Sequence, residues 1–111
     1  MAINNFKEIK YTINISLAAN NDLDEIFSYI ANTLAAEQTA VNLMREIQDM
    51  ILSLSEMPER FGLSLDSTLA KRGYRKVTVK KYIILYTIDK KNKIVNIMRI
   101  FHGSMDYTKY I

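Results

Sequence analysis

The chain has no cysteine and no tryptophan, and among its 111 residues it has one proline, one histidine and three glycines. Without cysteine, disulfides and thiolate metal sites are excluded. A single histidine is too little for a transition-metal centre, so no metal and no cofactor is expected. The absence of thiols fits a protein of the reducing cytoplasm, which is where we expect it.

Long apolar runs are also missing. None approaches the ~20 residues of a membrane-spanning helix, and residues 1–7 lack the apolar core of a signal peptide. No P-loop, GxGxxG or HExxH pattern is present. The sequence therefore predicts no contact with a membrane and carries none of these general catalytic motifs.

Charge is distributed very unevenly. Residues 1–70 hold 4 Lys/Arg and 10 Asp/Glu, whereas residues 71–111 hold 11 Lys/Arg and 2 Asp/Glu. The overall net charge of +3 thus hides an acidic half and a strongly basic half. A basic half of this kind is typical of a protein that meets a polyanion or an acidic protein.

The length suits a single domain over residues 1–111, and its first half has helical periodicity. Alternation over residues 11–15 predicts a strand. Ser16 is a suitable cap for a helix that continues to about residue 34, with Asp22 on its solvated side. A second apolar stripe, spaced 4, 3, 4, 3, predicts a helix over residues 37–56. The short linker between the two predicts an antiparallel helical hairpin.

The second half is rich in β-branched and aromatic residues. It predicts a loop over residues 58–73 and three strands at 74–79, 82–88 and 93–101, which are joined by turns so short that the strands must be antiparallel. The expected fold is α+β, in the order β-α-α-β-β-β. The apolar stripes of both helices need a common cover, so the hairpin is expected to pack on one face of an antiparallel sheet that residues 11–15 also join.

One group of residues in the basic half could support chemistry. Cleavage of RNA by its 2′-hydroxyl needs proton transfer and stabilisation of a charged phosphate. Candidate catalytic residues for that reaction are His102 and Tyr107, with Arg75 and Arg99 as cations. The same cations also fit a solvated sheet face on which His102 merely ends a strand, so the residues alone leave both interpretations open.

Several blocks of the chain, in order, resemble the RelE/ParE family of toxins. The similarity extends from about Tyr11 to the C-terminus, and its blocks are residues 16–30, 54–60, 75–77, 82–88 and 95–103. The resemblance implies a β-α-α-β-β-β fold, an intracellular bacterial toxin of a toxin–antitoxin pair, often plasmid-stabilising, and an antitoxin partner that itself makes the main contact with DNA. Family members either cleave mRNA on the ribosome, as RelE and YoeB do, or poison DNA gyrase, as ParE does.

Two departures from the nuclease members bear on the activity. RelE and YoeB place an arginine just after the start of the central strand, where this chain has Ile83. Many relatives also carry arginine after the glycine that follows the last strand, where this chain has Met105. Neither side chain offers a charge or a donor. The resemblance therefore favours a ParE-like or weakened toxin over a ribosome-dependent endoribonuclease, and a non-toxic protein-binding module is the third alternative.

The partner expected from this resemblance is an acidic antitoxin segment that folds on binding. Its contacts are predicted on the basic strands and turns. The candidate residues for binding it, or another anion, are Lys76, Lys80, Lys81 and Arg99.

Overall fold

The structure, a computed structural model, describes residues 10–106, 109 and 111. The described ranges contain four strands and three α-helices, together with one π-helical turn and one 3₁₀ turn. In chain order they are β1 (Thr12–Ile15), α1 (Leu17–Ser28) with the π-helical turn Tyr29–Thr33, α2 (Glu37–Ser53), the 3₁₀ turn Pro58–Arg60, α3 (Ser67–Lys71), β2 (Arg75–Val79), β3 (Tyr82–Asp89) and β4 (Ile94–His102).

The four strands form one sheet in the order β1-β4-β3-β2. β2, β3 and β4 are the predicted antiparallel meander. β1 joins the sheet as predicted but lies parallel to β4, with Thr12 opposite Ile94 and Ile15 opposite Ile97. The sheet is therefore mixed rather than wholly antiparallel. In sequence, the helices and strands β2 and β3 lie between β1 and β4. No short turn therefore forces β1 and β4 to be antiparallel.

The two long helices pack on one face of this sheet, and the predicted α+β architecture is confirmed. Ser16 caps α1 by accepting a hydrogen bond from the backbone N–H of Ala19 at 3.0 Å. On α2, Ala40, Ile47 and Ile51 of the predicted stripe are buried against the sheet. Among the described residues, no helix combines the length and the apolarity that a membrane crossing requires.

The connection from α2 to the sheet is more ordered than predicted. Residues 58–73 were expected to be a loop, yet they contain the 3₁₀ turn and α3. Asp66 caps α3 by accepting a hydrogen bond from the backbone N–H of Leu69 at 2.9 Å. A five-residue helix is too short for a periodic pattern to reveal, and it forms because Leu69 is buried on the sheet.

The face of the sheet opposite the helical hairpin carries a second, smaller apolar cluster. It joins residues of α3, β3 and β4 with Tyr74, which directly precedes β2, and Ile111 packs against it. Its buried members are Leu69, Tyr74, Ile83, Leu85 and Phe101. This second cluster explains why the central strand β3 has no polar alternation at 83–85, because both of its faces are covered.

Tyr86 links the segment after α2 to the sheet through a hydrogen bond of its hydroxyl. Removing that hydroxyl tests how much the link contributes to stability. Its fully buried phenol donates a hydrogen bond to the carbonyl oxygen of Pro58 at 2.7 Å. Tyr86→Phe leaves that carbonyl without its donor and should lower the free energy of unfolding by about 1–2 kcal/mol in chemical denaturation. Tyr74→Phe is the control: its ring is also buried, but no described hydrogen bond involves its hydroxyl. Equal stability of the two variants would contradict the prediction.

Candidate functional site

Tyr82 and His102 lie opposite each other where β3 begins and β4 ends. Their ring centroids are 5.3 Å apart at an interplanar angle of 83°. Partners in an antiparallel ladder share a face of the sheet, and these two line clefts with residues of α1 and α2. Burial, and secondarily the nearby Tyr29, raises the pKa of the Tyr82 phenol above its ordinary value, so this phenol stays protonated at neutral pH.

The hydrogen bonds of His102 define its tautomer. Its Nδ1 accepts a hydrogen bond from the backbone N–H of Ser104 at 3.0 Å, and the Ser104 hydroxyl lies 2.7 Å from the same nitrogen. A backbone N–H can only donate, so Nδ1 carries no proton and the neutral ring carries its proton on Nε2. His102 is thereby held as a hydrogen-bond donor through Nε2.

Two clefts adjoin this pair of rings, and together we call them the hairpin groove. The first cleft, of about 470 Å³, lies between α1 and the end of β4. The second, of about 620 Å³, lies between α2 and the β2–β3 turn. Tyr82 and His102 line both clefts, so the two clefts adjoin at these rings.

An ion pair between Arg99 and Asp22 forms one side of the first cleft. The Arg99 Nε lies 2.8 Å from Asp22 Oδ2, and its Nη2 lies 2.9 Å from Oδ1. Hydrogen bonding of the guanidinium to the Asp22 carboxylate raises the pKa of Arg99 above its ordinary value. Asp22 Oδ2 also accepts the backbone N–H of Ile100 at 2.9 Å. Arg99 is thus engaged with a carboxylate inside the fold.

Asp22 was predicted on the solvated side of α1, and that prediction is wrong, because the residue is buried. β1 ends opposite Ile97, so the next part of β4 pairs with β3 on one side and has no strand on the other. The Asp22 carboxylate accepts the hydrogen bond that Ile100 would otherwise lack there. Its spacing from Ala19, Ile26 and Ile30 places it on the buried stripe of the helix, and a carboxylate at such a position was the available sequence signal.

The second cleft brings together the lysines of the β2–β3 turn and a glutamate of α2. Lys80 Nζ lies 3.8 Å from Glu46 Oε2, with both side chains largely exposed. Lys81 is exposed, and its carbonyl accepts the backbone N–H of Gly103 at 2.7 Å. That bond holds the end of β4, and with it His102, beside the lysines. The structure therefore places Lys80, Lys81, Arg99 and His102 along one groove.

Arg75 and Lys76 lie elsewhere. Arg75 pairs with Tyr86, four residues along β3 from Tyr82, which is about 13 Å. Its Nη1 donates to the carbonyl oxygen of Phe61 at 2.6 Å, so it holds the connection after α2. Lys76 pairs with Leu85, which faces the second cluster. Neither residue shares the groove with His102.

The remaining sequence candidates divide between the two faces. Ile83 is buried in the second cluster, on the face away from the hairpin groove. Met105 lines the first cleft and is partly exposed. Tyr107 lies outside the described residues. In the part of the chain that the structure describes, no three histidine or carboxylate side chains come together as metal ligands could.

Comparison with known proteins identifies the class of protein to which this fold belongs. The toxin–antitoxin system ParDE from P. aeruginosa contains a similar fold, with a TM-score of 0.68 and 19% identity over 84% of this chain and 96% of that chain. The toxin–antitoxin complex RelBE2 from Mycobacterium tuberculosis is also similar, with a TM-score of 0.59 and 26% identity over 86% of this chain and 94% of that chain. A comparison with curated protein sequences found no significant match.

The family model for the ParE toxin of the type II toxin–antitoxin system parDE matches residues 13–107. The chain belongs to this family. It is a type II toxin of the ParE/RelE group, as the resemblance in its sequence implied.

Proposed function

We propose that this toxin arrests growth by a ParE-like action on DNA gyrase, without cleaving mRNA, and that a cognate antitoxin neutralises it. The observation that carries the proposal is that the guanidinium of Arg99 is already bound to a carboxylate of the protein. Arg99 lines the first cleft together with His102, yet both its Nε and its Nη2 are hydrogen-bonded to Asp22. Phosphate cleavage needs donors aimed at the developing charge, and here that donor set is directed to a carboxylate.

Neither Arg75 nor the residue at position 83 supplies a guanidinium that could replace it. Arg75 donates to a backbone carbonyl at the far end of the sheet. At the position where RelE and YoeB carry arginine, Ile83 packs with Phe101 and Leu85 in the second cluster. Losing one contact to a developing charge costs on the order of 10²–10³ in rate. Several such losses together leave little catalysis by this route.

The electrostatics of the hairpin groove also disfavour an RNA strand. Carboxylates of Asp22 and Glu25 line the first cleft, and that of Glu46 lines the second. Arg99 and Lys80 pair with two of them. Only Lys81 then adds positive charge among the described residues that line the groove, and the exposed Glu25 of the first cleft repels a polyanionic backbone.

The proposal can be tested in cells by inducing the chain without any antitoxin. Growth, plasmid supercoiling and mRNA integrity are measured in the same culture, with the empty expression vector as the control for the burden of induction. We expect growth arrest with altered supercoiling and intact mRNA. Arrest with codon-positioned mRNA cuts would support the RelE-type alternative, and undisturbed growth would support the non-toxic binding module.

Met105→Arg provides a complementary test of the nuclease alternative. Met105 is partly exposed in the cleft beside His102, so an arginine there can place a guanidinium near the imidazole. We expect no ribosome-dependent cleavage above background from the parent and a measurable gain from the variant. Leu65→Arg, on an exposed loop residue outside the groove, is the control for added charge. Strong cleavage by the parent that Met105→Arg leaves unchanged would contradict this account.

The antitoxin is the proposed partner of the basic half in the cytoplasm. Relatives of the chain come from toxin–antitoxin complexes. Lys80 and Lys81 lie together on the β2–β3 turn and are exposed, which suits steering of an acidic segment. DNA contact is assigned mainly to the antitoxin, so this chain needs no DNA-binding surface of its own.

A further inference from the structure

The first cleft holds a cation of the chain between a carboxylate and an aromatic ring. The guanidinium of Arg99 is hydrogen-bonded to Asp22, and its Cζ lies 4.5 Å from the centroid of the Phe101 ring. The carboxylate supplies the opposite charge, and the face of the ring attracts a cation as well. One side of the cleft therefore binds a positively charged organic group that belongs to the protein itself.

A second set of the same residue types lines the cleft beside this pair. Glu25, Tyr29 and Tyr82 all line it, Glu25 is exposed, and Tyr29 is 54% exposed. Burial and, after it, the nearby phenol of Tyr29 raise the pKa of Tyr82, so the two phenols lie close together. Among the residues that the structure describes, no ion pair includes Glu25. This second set thus has a carboxylate and two rings, without a cation paired to it.

From this comparison we propose that the first cleft binds a small organic cation, an alkylated ammonium ion, between Glu25 and the rings of Tyr29 and Tyr82. The ammonium group faces the Glu25 carboxylate, and its alkyl carbons pack on the two rings and on Ile26, which lines the same cleft. The cleft volume of about 470 Å³ lies within the range of roughly 300–1,000 Å³ that is typical of ligand sites. This binding site goes beyond the proposed function and does not depend on the cellular target.

The charge and the apolar surface of the cleft together select this class of ligand. Asp22 and Arg99 neutralise each other, so Glu25 leaves the described lining with a net negative charge that repels an anion. A metal ion needs several oxygen ligands, and the described residues contain no cluster that could supply them. A neutral apolar molecule can use the rings but not the carboxylate. Only an organic cation uses both.

The test titrates the purified chain with choline and follows the ring signals of Tyr29 and Tyr82 by nuclear magnetic resonance. The control ligand is 3,3-dimethylbutan-1-ol, which has the same shape as choline but no charge. We expect choline to bind saturably and to shift both sets of signals, and the uncharged control to bind about three- to thirtyfold more weakly.

Variants of the lining assign the site. Tyr29→Ala should weaken choline binding about five- to tenfold, whereas Tyr29→Phe, which keeps the ring, should stay within about twofold of the parent. Glu25→Gln should weaken it about three- to tenfold. Asp24→Asn removes the exposed neighbouring carboxylate, which does not line the cleft, and should bind like the parent. All three substituted residues are exposed, so these variants should keep the fold.

Several outcomes would overturn the inference. The first is the absence of saturable choline binding below about 10 mM. Equal affinities for choline and its uncharged control would show an apolar cleft rather than a cation site, and tighter binding of hexanoate would show an anion site. Choline binding that both Tyr29→Ala and Glu25→Gln leave unchanged would place the cation elsewhere. None of these readouts involves growth, gyrase or mRNA, so the proposed function stands or fails separately.

Discussion

Ile51→Asp is expected to cause the largest loss of stability of any substitution considered for this protein. Ile51 is 1% exposed on α2, where it packs in the main core against the sheet. A carboxylate there has no partner, and the change also removes a buried aliphatic side chain, so the loss should be about 4–5 kcal/mol. A domain of this size has a total stability of roughly 5–15 kcal/mol. Chemical denaturation followed by circular dichroism measures the change.

Leu52→Asp is the matched control for that experiment. Leu52 is the next residue on the same helix, but it is 63% exposed. The substitution has the same chemistry and a similar helix-propensity cost, without burial. We expect it to stay within about 0.5–1 kcal/mol of the parent. Equal losses at the two positions would mean that α2 does not present Ile51 to the core.

Removing the Asp22 carboxylate is expected to have the second largest effect. In Asp22→Ala the guanidinium of Arg99 loses its ionic partner and the buried backbone N–H of Ile100 loses its acceptor. Breaking a buried pair costs 3–5 kcal/mol, and the Arg99 side chain is 23% exposed, so we expect about 3 kcal/mol. Denaturant titration measures this loss.

Two further variants assign the cause of that loss. Asp22→Asn keeps an oxygen that can accept from Ile100 while removing the charge, so its loss should be intermediate. Asp24→Ala removes an exposed carboxylate two residues away and should change stability little. If Asp22→Ala and Asp24→Ala were equally stable, the carboxylate at Asp22 would not hold the edge of β4.

Local periodicity predicted the elements well because their burial is local in sequence. The spacing of Ala40, Ile47 and Ile51 placed one face of α2 on the sheet, and these residues are buried. In the same stripe, Met44 is only partly buried whereas its neighbour Leu43 is buried. The buried face is therefore broader than a single line of residues, which a periodic pattern cannot specify.

Features that depend on distant partners could not be predicted in this way. The direction of β1 depends on its pairing with β4, more than 80 residues away. The burial of Asp22 depends on the point at which that pairing ends. No sequence pattern within β1 or α1 reveals the direction of β1 or the burial of Asp22. Both features depend on how the chain runs from β1 through the helical hairpin to its distant partner strand.

In the candidate site, too, the sequence predicted the positions of some residues and not of others. His102 shares one cleft with Lys81 and the other with Arg99, because all three lie where β3 begins and β4 ends, and turn lengths predict this proximity. Arg75 was grouped with them by residue type, but its ladder position sets it about 13 Å along the sheet. Its role in holding the Phe61 carbonyl depends on a loop whose course the sequence did not predict.

The central claim, that this ParE-family toxin acts without cleaving mRNA, is tested most directly with the purified chain in two parallel reactions. One measures supercoiling by DNA gyrase, and the other maps the 5′ ends of mRNA on translating ribosomes, both with and without His102→Ala. The account predicts inhibition of gyrase by the parent chain and no new mRNA ends. Codon-positioned mRNA cleavage by the parent that His102→Ala abolishes, together with unaffected gyrase, would contradict it.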